Sequence, residues 1–466
     1  MAFNVYVSSK IGSEAVGIFG LVMSVYSFAV TLATTGLSLA CTFIVSKCFA
    51  KGNFFDGLKA VKSCIVFSLI LSISTSILVL CFSKTISNHW LNSMVTPSPL
   101  YLIAIGLPFI AISSVLNGYF SAVRKAYKGA ITQFVELIVK IIVSIILLKF
   151  GLSKGVEAIC NCLILADVIS EVCSCILIII LYKIDRWKYC TRKVSIITFK
   201  KEILKITFPV SVTTCIKSGL STFKQFIIPS RLQAFGLSYN MALSEYGKVN
   251  GMTMSVIMFP IVFIGSFSNL LVPEFSSLLA TGNKKRIHDL CHKIFMVTYI
   301  FSFYVSSILF IFSNEISLLV FNNLDCATYI KIISPLVLFM YPDNIIDNIL
   351  KGLNRQFGVM TSNILDLIIT ISILYFLLPI IGINGYILAI YVSEIFNFTI
   401  SFFQLYKVAK FKLSIMNYFI KPLIACLVGF ILSSFTDNFV LRIIIFSISF
   451  AGIFLIYLKN PRFSNA

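Results

Sequence analysis

The sequence predicts an all-α polytopic membrane protein: two parallel six-helix repeat lobes plus two C-terminal helices. Three observations lead there. Of 466 residues, 58% are hydrophobic and only 12% charged, about half the ~25% charged share of a soluble domain. The apolar residues gather into separate runs of around 20 residues, the length at which one helix crosses a bilayer. Lys and Arg crowd into alternate connections between those runs, as cytoplasmic loops do. The runs are continuous rather than alternating, which selects helices over a barrel.

The formal net charge of +20 could suggest nucleic acid, but its distribution between spans excludes nucleic acid as a partner and points to membrane lipids. The 13 cysteines are scattered, many within apolar runs, with no paired metal spacing; they read as small hydrophobes. His288 and His292 are four apart, yet no acid or cysteine set completes a metal site. No cleavable signal peptide is visible, and self-inserting spans need none.

In chain order, the first full span lies near Val16–Val45. Others follow near 61–82, 99–122, 130–150, 156–182, 205–229, 250–279, 293–313, 329–350, 359–381, 383–406, 415–435 and 439–458. Lys47, Lys51, Lys59 and Lys62 follow the first span, and Arg124, Lys125 and Lys128 the third. Eight Lys or Arg lie between Lys183 and Lys205. Further cations are Lys284, Lys285, Arg286 and Lys293; Lys351 and Arg355; Lys407, Lys410 and Lys412; and Lys459 and Arg462. The intervening loops are poor in cations. The basic set is therefore expected on the cytoplasmic side, with the C-terminus beside it.

An internal repeat organises these spans. A shift of 230 residues pairs Ser46, Ala50, Gly52 and Asn53 with Ser276, Ala280, Gly282 and Asn283. The same shift pairs Ser76, Phe82, Ser83 and Ser87 with Ser306, Phe312, Ser313 and Ser317, and Glu136 with Asp366. A shift of 234 pairs Pro108 with Pro342 and Gly118 with Gly352; shifts of 223 and 224 pair Glu171 with Glu394 and Lys183 with Lys407. An even number of spans per half gives a parallel repeat. The expected boundaries are an N-terminal lobe at 1–200, a C-terminal lobe at 201–412 and the two added helices at 413–466.

The stretch Ile227–Asn283 is the clearest unit: a cation, Arg231, at the end of an apolar helix, a polar Gly-containing hairpin, then a run interrupted by Pro260 and Pro273. Its weaker copy runs from about Val5 to Asn53. If Lys10 is the counterpart of Arg231, nine residues precede it, where an intact helix needs about twenty. The first helix is then reduced to a stub, and a longer native N-terminus is expected.

Ionisable residues at membrane depth mark cavities or partners. Lys217, Lys224 and Arg231 are spaced by seven, so they share one helix face at intervals of about 10 Å. They either line a cavity for an anionic substrate, or Arg231 snorkels outward while the lysines pair with carboxylates. Lys248 stands near Glu245 and could pair with it. Glu136 and Lys140, four apart, could neutralise each other. Glu171 and Glu394 read as contacts between helices or to substrate. Asp343 and Asp347, with Asn344 and Asn348, form a polar face after Pro342 that either binds a cation or caps a kinked helix. No P-loop and no nucleophile–base set stands out, so neither catalytic residues nor a cofactor is expected.

The segments PSRLQAFGLS, SEYGKVNGM and NLLVPEFSSLLATGN, with SSKIGSEAVGIFGLVMSVYSFAVTLATTGLSLA near the N-terminus, resemble the stage V sporulation protein B group of polysaccharide-biosynthesis membrane proteins. That group belongs to the exporter superfamily of lipid II flippases, oligosaccharide-lipid flippases and multidrug extrusion proteins. The resemblance implies two six-helix lobes around a central cavity, alternating access, and a cationic lining at the leading helices. Arg231 takes the motif cation of the second lobe and Lys10 that of the first, where a lysine loses the bidentate fork of arginine; Lys248 falls close to a cavity arginine of related flippases. The expected substrate is an undecaprenyl-diphosphate-linked cell-wall precursor, foremost lipid II, whose diphosphate suits a cationic cavity. Candidate substrate contacts are Arg231, Lys224, Lys217, Lys248 and Lys10. The alternatives are a flippase for another lipid-linked polysaccharide unit and a multidrug or cation antiporter. An antiporter would want buried carboxylates in the leading helix of a lobe, and 205–229 has none. Cell-wall synthesis enzymes are candidate partners, and sporulation a candidate setting.

Overall fold

The computed structural model describes residues 2–90, 96–151, 155–187, 200–410, 416–436 and 438–459. Lys412, Arg462 and much of the basic segment after Lys183 lie outside them. Every regular element among the described residues is helical. The N-terminal series is α1 (Ala2–Thr34), α2 (Leu37–Ala50), α3 (Phe54–Thr85), α4 (Ser98–Ala122), α5 (Ala126–Gly151), α6 (Val156–Arg186) and α7 (Lys200–Ala234). After it come α8 (Tyr239–Tyr246), α9 (Met254–Met258), α10 (Ile261–Ala280), α11 (Lys284–Ile311), α12 (Ser313–Phe321), α13 (Ala327–Ile333) and α14 (Val337–Gly352). The series ends with α15 (Gln356–Ile381), α16 (Ile383–Ala409), α17 (Lys421–Ser433) and α18 (Phe439–Lys459).

Eight candidate spans among the described residues are long and apolar enough to cross a membrane, with α1 and α2 counted together as Tyr6–Phe49. Two shorter apolar helices, Tyr418–Ser433 and Phe439–Ile453, follow. The protein is an all-α, multi-pass membrane protein. Each of the expected spans corresponds to a helix or a broken helix. The expected run 250–279 is broken: α8 passes through a wide π turn, Gly247–Thr253, into α9, and the chain breaks again at Pro260 before α10. A proline lacks the N–H that would continue the ladder. The helix nevertheless continues through position 273, and α14 runs through Pro342.

The chain forms two compact units, Glu14–Phe226 and Met1–Ser13 with Ile227–Ala466. These limits differ from the expected 200 and 412. One falls at the kink of α1, where Gly12 has φ 81° and ψ 163°, backbone angles that only glycine adopts readily. The other falls within α7. Its leading part joins the first unit because Ser211 donates to the carbonyl of Thr35 at 3.0 Å and Thr222 to that of Ser24 at 3.1 Å.

In the first unit, Leu37, Cys41, Ile44, Val61, Tyr119 and Ile178 share one buried core. The approach of α2 and α4 depends on Gly118, where a Cβ would lie 2.4 Å from the Ser38 carbonyl oxygen; small residues permit such contacts between membrane helices. Ser76 of α3 donates to the Ala104 carbonyl of α4 at 2.7 Å. In the second unit, Gly352 of α14 meets α10 in the same manner, a Cβ there lying 2.8 Å from the Val272 carbonyl oxygen. Ser306 of α11 donates to the Ser334 carbonyl at 3.0 Å.

Candidate functional site

The long helix α7 carries three of the five proposed substrate contacts. After Glu202 it contains no carboxylate. Thr222 and Ser211 mark the face of α7 that packs against α1. At 100° per residue, Lys217 and Lys224 point roughly 140–160° away from Thr222. Lys217 is exposed and Lys224 half-buried. The face opposite the packing is thus the cationic one.

Seven residues further on, the guanidinium of Arg231 lies 3.6 Å from the centroid of the Tyr375 ring on α15. Stacking occupies the π face of a guanidinium and leaves its in-plane N–H donors available. Among the described residues this guanidinium makes no ion pair or hydrogen bond. The end of α7 is held nearby by Phe235, whose ring lies against Gly382. Gly382 has φ 59° and ψ −140° at the break between α15 and α16; a side chain there would be both strained and 2.8 Å from the ring of Phe235.

Lys10 is exposed on α1, two residues before the kink. Ser13 and Ser244 share a hydrogen bond of 2.7 Å, which ties this segment to α8. Among the described residues Lys10 makes no ion pair. Lys248 is different. Its ammonium lies 3.0 Å from Glu245 and 3.8 Å from Asp325, and Glu245 also accepts the hydroxyl of Tyr329. The structure commits Lys248 to a tie between the π turn and the α12–α13 connection.

Among the described residues Glu136 and Lys140 make no direct ion pair. Lys140 reaches 2.5 Å to Asp167 on α6 instead. Asp167 is buried, and a cross-helix partner relieves the cost of that burial. One turn along α6, Glu171 accepts the hydroxyl of Tyr26 from α1. Asp167 escaped the sequence reading, although its spacing with Ser170, Glu171 and Ser174 traces one polar face of α6.

On α14, Asp343 is buried, Asp347 and Asn348 are half-buried and Asn344 is exposed. Asn397 of α16 donates to buried Asp343 at 2.8 Å, and Asn348 donates to Ser268 of α10 at 2.5 Å. Ser393 of α16 donates to Asp366 of α15 at 2.7 Å. The visible contacts tie helices together, a role other than the two expected for this face.

A third cluster was not singled out by its sequence. Asp185, fully buried near the end of α6, pairs with Lys125 at 2.7 Å and Lys128 at 3.0 Å and accepts Tyr119 at 3.0 Å. Part of the basic set after α4 therefore has a structural partner.

This fold is similar to that of a lipid II flippase, MurJ, in its inward closed conformation, with a TM-score of 0.74 and 13% identity over 98% of this chain and 96% of that one. It is also similar to a MATE-family multidrug resistance transporter in an inward-facing conformation, with a TM-score of 0.67 and 15% identity over 88% and 94% of the two chains. These likenesses define the class: a multi-pass membrane protein with the fold of the MOP transporter superfamily. A profile of the polysaccharide biosynthesis protein family matches residues 1–279, and the chain belongs to that family. Over 443 residues it is 24% identical to stage V sporulation protein B of Bacillus subtilis (strain 168), covering 92% of this chain and 85% of that protein.

Proposed function

We propose that this protein is a flippase that carries an anionic, undecaprenyl-diphosphate-linked cell-wall precursor, lipid II, from the inner to the outer leaflet of the bacterial cytoplasmic membrane by alternating access. The observation that carries this reading is the cationic face of α7, with no carboxylate after Glu202 and with Arg231 stacked on Tyr375 so that its donors remain available. A diphosphate is recognised by such charge-assisted donors. Lys217, Lys224 and Lys10 add positive charge, while Lys248 contributes chiefly to the fold.

The reading as two parallel six-helix lobes has support inside the units. Ser76 and Ser306, paired by the 230-residue shift, each donate to the carbonyl 28 residues on, and those carbonyls, Ala104 and Ser334, are paired by the same shift. Gly118 and Gly352 are both pressed against backbone. The C-terminus is cytoplasmic under the charge rule.

The test measures lipid II exposed at the outer leaflet of cells depleted of their other flippases, with this chain or its Arg231→Ala variant expressed. Translocation by the parent and its loss in the variant are expected. A stably inserted parent that leaves lipid II inside while restoring export of another polyprenyl-linked glycan would reassign the substrate. Equal activity of the variant would remove Arg231 from the site.

A further inference from the structure

A second feature lies within the second unit. Helices α10, α11 and α14 leave a cavity of about 420 Å³. Its walls are Phe263 and Ile264 of α10, Val297 and Phe301 of α11, and Ile345 of α14, with Lys293 as the charged residue in the lining. Lys293, Val297 and Phe301 are four apart, so they follow one another along one face of α11. Phe263 is 60% and Val297 61% exposed, so the cavity is open rather than sealed. The Thr298 hydroxyl that also lines it donates to the Ile294 carbonyl of its own helix at 2.7 Å.

Hydrocarbon makes up nearly all of the lining, and Lys293 is the one residue of the wall that carries a charge. Among the described residues Lys293 makes no ion pair. The basic cluster Lys284, Lys285 and Arg286 begins the same helix. The volume is at the lower part of the range of small-molecule pockets, about 300–1,000 Å³. It suits one acyl chain, and with its threonine committed it offers little for sugar hydroxyls.

We infer that the cavity binds an anionic phospholipid of the surrounding bilayer, with the phosphate on Lys293 and one acyl chain along Val297 and Phe301. Basic pockets between membrane helices recognise lipid headgroups in this way. The walls lie just beyond Pro260, where the chain breaks before α10, and beyond Pro342, through which α14 continues. The inference does not depend on the transported substrate.

The test is native mass spectrometry of the purified full chain, titrated with phosphatidylglycerol and with phosphatidylcholine of the same acyl chains. About a fivefold preference for phosphatidylglycerol is expected, the contribution of one lysine near a lipid phosphate. Lys293→Ala should erase the preference, and Val297→Trp, at an exposed position, should weaken retention of both lipids. Thermal melts of both variants confirm that they fold. A preference that survives Lys293→Ala, or retention unchanged by Val297→Trp, overturns the assignment. Displacement of phosphatidylglycerol by equimolar undecaprenyl phosphate would make the cavity a site for the substrate's tail and also overturn it.

Discussion

At the scale of single residues, the cations separate by what already holds them. Lys248 is balanced by Glu245 and Asp325, and Lys125 and Lys128 by Asp185. Arg231 instead rests its π face on Tyr375. A hydrogen bond to a charged group contributes about 1.5–3 kcal/mol, so Arg231→Ala should lower translocation more than tenfold, read as the initial rate of outer-leaflet exposure. Arg231→Lys keeps the charge but loses the fork, and an intermediate rate is expected. Tyr375→Leu removes only the platform, worth about 0.5–1 kcal/mol at a partly exposed site, and should slow the rate two- to fivefold. Asp185→Asn should leave transport geometry alone but lower stability. It removes the negative partner of two lysines, and their partial exposure reduces the cost to about 2 kcal/mol, below the 3–5 kcal/mol of a fully buried pair. A depressed melting temperature checks it.

At the scale of elements, close approach and interruption do most of the shaping. Gly118 and Gly352 are each met by the backbone of the neighbouring helix within 3 Å of where a Cβ would sit. Adding a methyl must push the helices apart, a cost of about 1–3 kcal/mol. Gly118→Ala and Gly352→Ala should therefore both lower the melting temperature in detergent. Gly265→Ala is the control: it lies on α10 with nothing within 4 Å of a Cβ, and alanine suits a helix better than glycine, so its melt should be unchanged or slightly raised. The spacing that joined Glu136 to Lys140 was sound as helix geometry. A single helix does not reveal its neighbour, however, and Asp167 across the α5–α6 contact is the partner that forms.

At the scale of the whole molecule, alternation of basic and neutral connections predicts orientation. A fluorescent protein fused to Ala466 should fluoresce, and alkaline phosphatase fused there should stay inactive, because the first folds in the cytoplasm and the second requires the outside. The reverse result would invert the whole assignment, since all spans are counted from one another. The two compact units carry the same inference at a larger scale. Serines and glycines paired by a shift in the sequence make equivalent contacts inside each unit, which supports the proposed reading as two repeat lobes.

What the sequence determined by itself was the solvent, the helical class and the order of the spans. Bilayer thickness and the absence of water impose these on any chain with such apolar runs. It also placed Lys217, Lys224 and Arg231 on one face, because the helical period is local. Only the tertiary structure decided which charges are committed. It sent Lys140 to Asp167, Lys248 to Glu245 and Asp325, and Asp343 to Asn397, and it left the guanidinium of Arg231 on an aromatic ring. It also broke the run 250–279 at the π turn and at Pro260. Partner choice depends on which helix faces which, a property of packing that no periodicity within a single span contains.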